Sequence, residues 1–399
     1  MTVGSLLTSC SPATDDLNIM LLDGAVPPEV LKRFRQQATT SVRFHIDSQI
    51  EDIFQQLQTW QQPPEKAPIS LRRFLPWQTE ARTIKPNNLV SLGDYWLTSA
   101  IAQDLLAPLE IAPQTLGKLP PVWQQFVRRD SQGQSIPLEA ASEGLWAAPY
   151  KMQSLAIIYR RSQFPSAAAA NGSPFQRWRD LLQPQLNRRI ALPDHPRIVI
   201  GLLQKIRSGR FNPSFESDQS SLSTSDSQLA ISELAEPFAQ LNQQVKTYDS
   251  RTSIKALVNE DVDAVVGWSG DAVAALSRYR DLEMTIPEEG SLLSADMWVR
   301  PKGAEMSASA QDWIDFCWQE GPATQISIAG KGLSPIFFGE GMSWPNALNN
   351  ELPSAAILKN SEPLLPLPPE VKAAYLKLWQ QLRASDRPEN EQESQSDVT

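Results

Sequence analysis

The feature that most constrains this chain is a repeated exchange of two hydrophobic periods. Short apolar runs end in acidic or small turn residues, and segments with a 3.6-residue apolar stripe follow them. LNIMLLDG (17–24) is such a run, closing in Asp23-Gly24. Pro27-Pro28 then opens a helix with Val30, Leu31 and Phe34 on one face. SVRFHID alternates as a strand, and Ser48-Gln49-Ile50-Glu51 has the form of a capping box before the stripe of Ile50, Ile53, Phe54 and Leu57. The pattern recurs in NLVSLGDYWLTSAIAQDLLAPLE, in RRIALPDHPRIVIGLLQKIR and in SIKALVNEDVDAVVGWSGDAVAALSRY. GLWAAPYKMQSLAIIYRR predicts two short strands across a Pro149 turn. SPFQRWRDLLQP predicts a helix, and SADMWVRP a strand. QDWIDFCWQ and PPEVKAAYLKLWQQLRAS predict helices. Alternating βα units imply an α/β fold with mostly parallel sheets. Ligands of such sheets bind outside the carboxyl ends of the strands. The residues to inspect are therefore Asp23, Gly93-Asp94-Tyr95, Asp194, Tyr248-Asp249 and Trp268-Ser269-Gly270-Asp271.

Composition removes several function classes. A net charge of −9 over 399 residues gives no basic face for nucleic acid. Two histidines, His45 and His195, and two cysteines, Cys10 and Cys317, supply no zinc or haem pattern, and no metal or other cofactor is expected. Cys317 shares an apolar stripe with Trp313 and Phe316 and reads as core. No run of about 18 apolar residues is present to span a bilayer. Leu7-Thr8-Ser9-Cys10 resembles the end of a bacterial lipoprotein signal, whose cysteine is lipidated. Nine residues precede it, so residues 1–16 are expected to be a truncated signal and tether. SFESDQSSLSTSDSQ reads as a mobile surface loop, and residues 384–399 as a disordered tail.

No motif completes an enzyme. GWSGD at 267–271 fails the Gly-x-Ser-x-Gly pattern because Asp271 stands fifth. Ser269 is instead expected to N-cap the following helix, with Asp271 in its first turn. GKGLSPIFFGEG is glycine-rich without phosphate-loop spacing, and reads as loop. His195 follows Asp194 in a strand-to-helix turn, where a cap or turn role is expected. His45 reads as structural, and Lys151 as an exposed lysine, with favouring an anionic ligand group as the alternative.

Seven segments resemble, in order, the spermidine/putrescine-binding proteins of bacterial ABC importers, within the type II extracellular solute-binding proteins. They are LLDGAVPPEVLKRFRQQ, LVSLGDYWLTSAIAQDLLAPLE, LWAAPYKMQSLAIIYR, WRDLLQPQLNRRIALPDHPRIVIGLLQKI, ALVNEDVDAVVGWSGDAVAAL, IPEEGSLLSADMWVRPKGA and LKNSEPLLPLPPEVKAAYLKLWQQLRA. The resemblance implies a two-lobe fold with a ligand cleft between lobes. Lobe one would hold 17–152 plus 296–335, and lobe two 153–292 plus 336–383. It implies a monomer in the periplasm, lipid-anchored through Cys10, that binds a polyamine or related small polar solute and hands it to an ABC permease in the inner membrane.

Carried over residue by residue, the family's pocket falls on Tyr95 with Trp96 beside it, on Trp268, and on Asp296, which would grip an amine. Asp23 and Asp194 are shifted acids at two further strand ends. Other positions depart from the family. Its Trp-Thr-Glu is Leu22-Asp23-Gly24, its second aspartate is His195, a glutamate is Ile198 and a tryptophan is Ser294. Its polar segment near the end is the apolar LLPLPP. Two other readings stay open: a lipid-anchored hydrolase using His195 and Asp194, and a ligand-free adaptor that kept the fold.

Overall fold

The computed structural model describes residues 16–61, 85–136, 144–169, 172–213, 233–338 and 355–384. Cys10, the serine-rich stretch 214–228, the tail from 385 and the end of GKGLSPIFFGEG lie outside them. In chain order the strands are β1 (Leu17–Leu22), β2 (Val42–Asp47), β3 (Leu89–Gly93), β4 (Leu106–Ala107), β5 (Ala147–Arg160), β6 (Ile190–Leu192), β7 (Val245–Tyr248), β8 (Ala264–Trp268), β9 (Leu282–Thr285), β10 (Leu292–Pro301) and β11 (Glu362–Pro363). The chain divides into two compact units. The first takes the described residues up to Lys151, with Ala295–Gly330 and 334–338. The second takes Met152–Ser294, Lys331–Leu333 and 355–384.

In the first unit β2, β1 and β3 run parallel, and β10 closes the sheet antiparallel to β3. β1 buries every second residue, Leu17, Ile19 and Leu21. The helix Pro28–Gln37 turns Val30, Leu31 and Phe34 inward, as its spacing predicts. Phe34, Phe44, Trp313 and Phe316 then meet in one aromatic cluster. Burying a side chain of this size contributes about 1.5–3 kcal/mol. Cys317 is part of this interior, and burial pushes its thiol well above the usual range.

In the second unit β7, β6 and β8 are parallel, β5 runs antiparallel to β8, and β9 runs antiparallel to β5. Trp178, Phe211, Phe238, Ile200 and Leu203 fill one face. Leu257, Val262, Val265 and Ala272 fill the other. The helix Pro369–Ala384 adds Val371, Tyr375 and Leu378 to the first of these faces. Gly290 has φ +90°, and a Cβ there would stand 2.0 Å from the Asn360 carbonyl oxygen. Only glycine lets those two segments approach.

Two local expectations are corrected. Residues 147–160 form one continuous strand, not two across a turn. Proline's fixed φ suits extended backbone, and the Pro149 carbonyl accepts a bond from Trp318 Nε1 at 2.7 Å. SPFQRWRDLLQP is two short 3₁₀ turns, Trp178–Leu182 and Pro184–Leu186, not an α-helix. The Asp180 carboxylate accepts the backbone N–H groups of Gln176 and Arg177, which tightens the turn, and Pro184 restarts it. No described helix is long and apolar enough to cross a membrane.

Candidate functional site

The strand ends of each unit gather the residues singled out above. In the first unit the register Met20↔Val90 carries Asp23 to the level of Gly93. Gly24 follows with φ +70°, which ends the strand. β3 passes directly into the helix Asp94–Ala102. Tyr95 is therefore in the first turn of that helix, and 58% of it is exposed. Trp96 is half-buried and lies over Phe54 with ring centroids 4.5 Å apart. Tyr95 meets the Trp96 ring edge-on at 5.2 Å. Because β10 runs against β3, Asp296 arrives opposite Gly93. Asp23, Tyr95, Trp96 and Asp296 thus belong to one strand-end face.

Lys151 joins that face from β5. Its Nζ is 2.9 Å from Asp296 Oδ2, and the lysine side chain is only 8% exposed against 26% for the aspartate. The expectation of an exposed lysine is overturned. Its stem lies over Gly330, where a Cβ would come within 2.7 Å of Lys151 Cδ. Glycine at the end of the helix Glu320–Ala329 is what admits the lysine.

Beneath the pair, Tyr150 stacks on Trp298 at 4.3 Å and shares a 2.7 Å hydroxyl contact with Ser91. Burial pushes the Tyr150 phenol well above its usual range, and the Asp296 charge adds to this. A second cation, Arg129, is almost wholly buried in the same unit. Burial lowers its guanidinium to about 10, while the Asp94 and Asp130 carboxylates oppose that shift. Arg129 Nη1 donates to the Arg128 carbonyl and to Ser135 Oγ, each at 3.0 Å. Sequence reasoning passed over Arg129. The signal was two consecutive arginines after VWQQFV, an apolar stripe that carries them inward.

In the second unit the register Ala191↔Val265 brings Asp194 level with Trp268. Trp268 is part-buried against the core and is the N-cap residue of the helix Ser269–Arg278. Ser269 does not cap that helix, against the expectation from sequence. It is the first helical residue, and its Oγ accepts the Ser154 N–H at 3.2 Å. Asp271 does stand in the first turn. Asp194 is half exposed, with Arg383 Nη1 3.6 Å away. The Arg383 guanidinium lies 4.5 Å from the Tyr248 ring centroid and 5.4 Å from that of Trp379.

His195 is the N-cap of the helix Pro196–Ser208, and its Nδ1 accepts the Ile198 N–H at 3.3 Å. Burial, and then the Arg197 charge, lower its pKa to about 4. A ring nitrogen engaged as a cap and this reluctant to take a proton is a poor general base near neutrality. Among the described residues no cluster of histidine, cysteine or carboxylate groups could hold a metal ion.

The family model for bacterial extracellular solute-binding proteins matches residues 85–360. No curated protein sequence matches the chain. Solved structures do. The substrate-binding protein of a spermidine/putrescine ABC transporter from Streptococcus pneumoniae aligns with TM-score 0.68 at 18% identity, over 92% of this chain and 98% of that one. An iron- and citrate-bound protein from Trichodesmium aligns at 0.58 and 12%, over 92% and 99%. A periplasmic thiamin-binding protein aligns at 0.54 and 14%, over 95% and 99%. At these identities the likeness is one of fold.

Proposed function

This chain belongs to the bacterial extracellular solute-binding proteins and has their type II mixed α/β fold, and from that premise we propose that it captures a small amine-bearing polar solute. It would deliver the solute to an ABC permease in the inner membrane, acting as a monomer in the periplasm and doing no covalent chemistry. Spermidine and putrescine are the solutes the sequence resemblance names. Among the structural neighbours, the ligands extend to iron and thiamin. The proposed contacts are Asp23, Tyr95, Trp96 and Asp296 in one unit, and Asp194 and Trp268 in the other. Anchoring would be through Cys10.

The observation that carries this reading is the first unit's strand end. There Tyr95, 58% exposed, shares a face with a carboxylate that β10 delivers opposite Gly93. A carboxylate and a π-face are the two groups that attract an alkylammonium.

The test is a thermal-shift panel of polyamines, amino acids, sugars and oxyanions. A ligand at a hundred times its Kd stabilises by about 2.7 kcal/mol. One class should raise Tm, and Tyr95→Ala should diminish the rise. Silence across the whole panel would sink the receptor reading in favour of the ligand-free adaptor.

A further inference from the structure

Asp296 is the carboxylate that the resemblance assigns to a ligand amine, yet this chain already holds an ammonium against it. Lys151 Nζ stands 2.9 Å from Asp296 Oδ2. The lysine comes from the same unit and is nearly buried, and Gly330 leaves room for its stem. Two other strand-end acids also have a cation near them, Asp94 the charge of buried Arg129 and Asp194 that of Arg383. A ligand ammonium reaching Asp296 would stand beside a second, fixed positive charge.

The pair is nonetheless not saturated. An ammonium carries three donors, and among the described residues Asp296 is the charged partner within ion-pair reach of Lys151. On a side chain 8% exposed, that ammonium has donors which a ligand acceptor can take. Asp296 is the more exposed partner, so a ligand that reaches it also meets the ammonium.

We infer that the Lys151–Asp296 pair reads a zwitterionic amino-carboxylate, its ammonium on Asp296 beside Tyr95 and its carboxylate on Lys151, and that it rejects polyamines. The antiparallel alignment of two adjacent opposite charges satisfies both partners at once. A polycation satisfies one and repels the other. This inference rests on the receptor reading and names the class of solute it takes.

The test is calorimetry on the full chain with ligand pairs that differ only by a carboxylate: leucine and 3-methylbutylamine, γ-aminobutyrate and propylamine, ornithine and putrescine, with spermidine alongside. In at least one pair the amino acid should bind about 10- to 100-fold tighter than its amine, the worth of one charge-assisted bond. Lys151→Met should bring the two within a few-fold and admit spermidine. The ligand pairs on the unaltered chain decide the question even if that variant does not fold. Spermidine or putrescine binding the unaltered chain as tightly as any amino acid overturns the inference and leaves the receptor reading standing. Binding of a sugar or oxyanion alone overturns both the inference and the amine-bearing solute, and leaves only the solute-binding role. No binding by any solute of the wider panel overturns both.

Discussion

At the strand ends of the first unit two of the acids have cations sunk in the interior: Lys151 on Asp296, and Arg129, whose charge interacts with that of Asp94. At those of the second, Asp194 stands half in water, and its arginine lies on the surface across two aromatic rings. The same charge pairing has different energetics in the two places. An interior pair loses hydration that only good geometry restores, so removing one member strands the other. An exposed pair is screened and contributes little. The first face is therefore fixed before any ligand arrives, and the second can adjust.

The strongest way to break this contrast is to remove one member of the interior pair. Asp296→Ala leaves the Lys151 ammonium buried without a counter-charge and should cost roughly 3 kcal/mol, read as a lowered midpoint in thermal or urea unfolding. Replacing both, as Lys151→Met with Asp296→Leu, should recover most of that loss, because two apolar groups need no partner. A loss below about 0.5 kcal/mol for the single change would mean that water reaches the lysine and the face is not preorganised.

The second unit has its own partly buried titrating group, and acid sharpens the comparison. His195 has a pKa of about 4 in the folded chain against an ordinary 6.5. Between those values the unfolded chain takes up a proton that the folded chain refuses. Stability is therefore full above pH 6.5 and falls as pH drops towards 4, by on the order of 2–3 kcal/mol. His195→Asn keeps a capping acceptor and removes the titration. The difference in unfolding free energy between the two proteins should flatten above pH 6.5 and change across the acid window. A constant difference from pH 7 to 4 would show that His195 is not shielded.

Smaller in effect is the polar contact under the first face. Tyr150→Phe removes one side of the 2.7 Å hydroxyl pair with Ser91 and leaves that serine buried without its partner. The expected loss is about 1–2 kcal/mol, and Ser91→Ala in the same chain should return part of it. Tyr248→Phe in the second unit removes a 2.7 Å bond to Asn242 in a part-buried setting, and should cost less. Equal losses would erase the distinction between an interior and a surface network.

The parts of this molecule that announce themselves in sequence are those fixed by short-range pattern. The strand–helix units at 17–61 and 253–278 follow from apolar periodicity and turn residues, and the structure has them where expected. The register that brings Asp296 to Gly93 is a long-range pairing that no local pattern encodes. Lys151 shows the limit most clearly. A lysine in a strand reads as solvated, and only its distant neighbours Gly330 and Asp296 make burial tolerable. Pro149 misled for the reverse reason. Proline signals a turn locally, yet its φ is compatible with a long extended strand. Ser269 misled by one position, because the helix starts on it and not after it.

The finest test concerns Arg383. Its 3.6 Å approach to Asp194 is loose, and both side chains are more than a third exposed. Its contacts with the Tyr248 and Trp379 rings are closer to stacking than to ion pairing. If the rings hold the arginine, Asp194→Asn should change stability by less than about 0.5 kcal/mol. Arg383→Ala should cost about 1 kcal/mol, through lost cation–π and stem packing. Arg383→Lys should fall between them, because an ammonium keeps the charge but not the planar face. A double-mutant cycle between positions 194 and 383 should then give near-zero coupling. Coupling as large as that between Lys151 and Asp296 would mean that the second face, too, is fixed by charge, and that neither unit is free to adapt to what it binds.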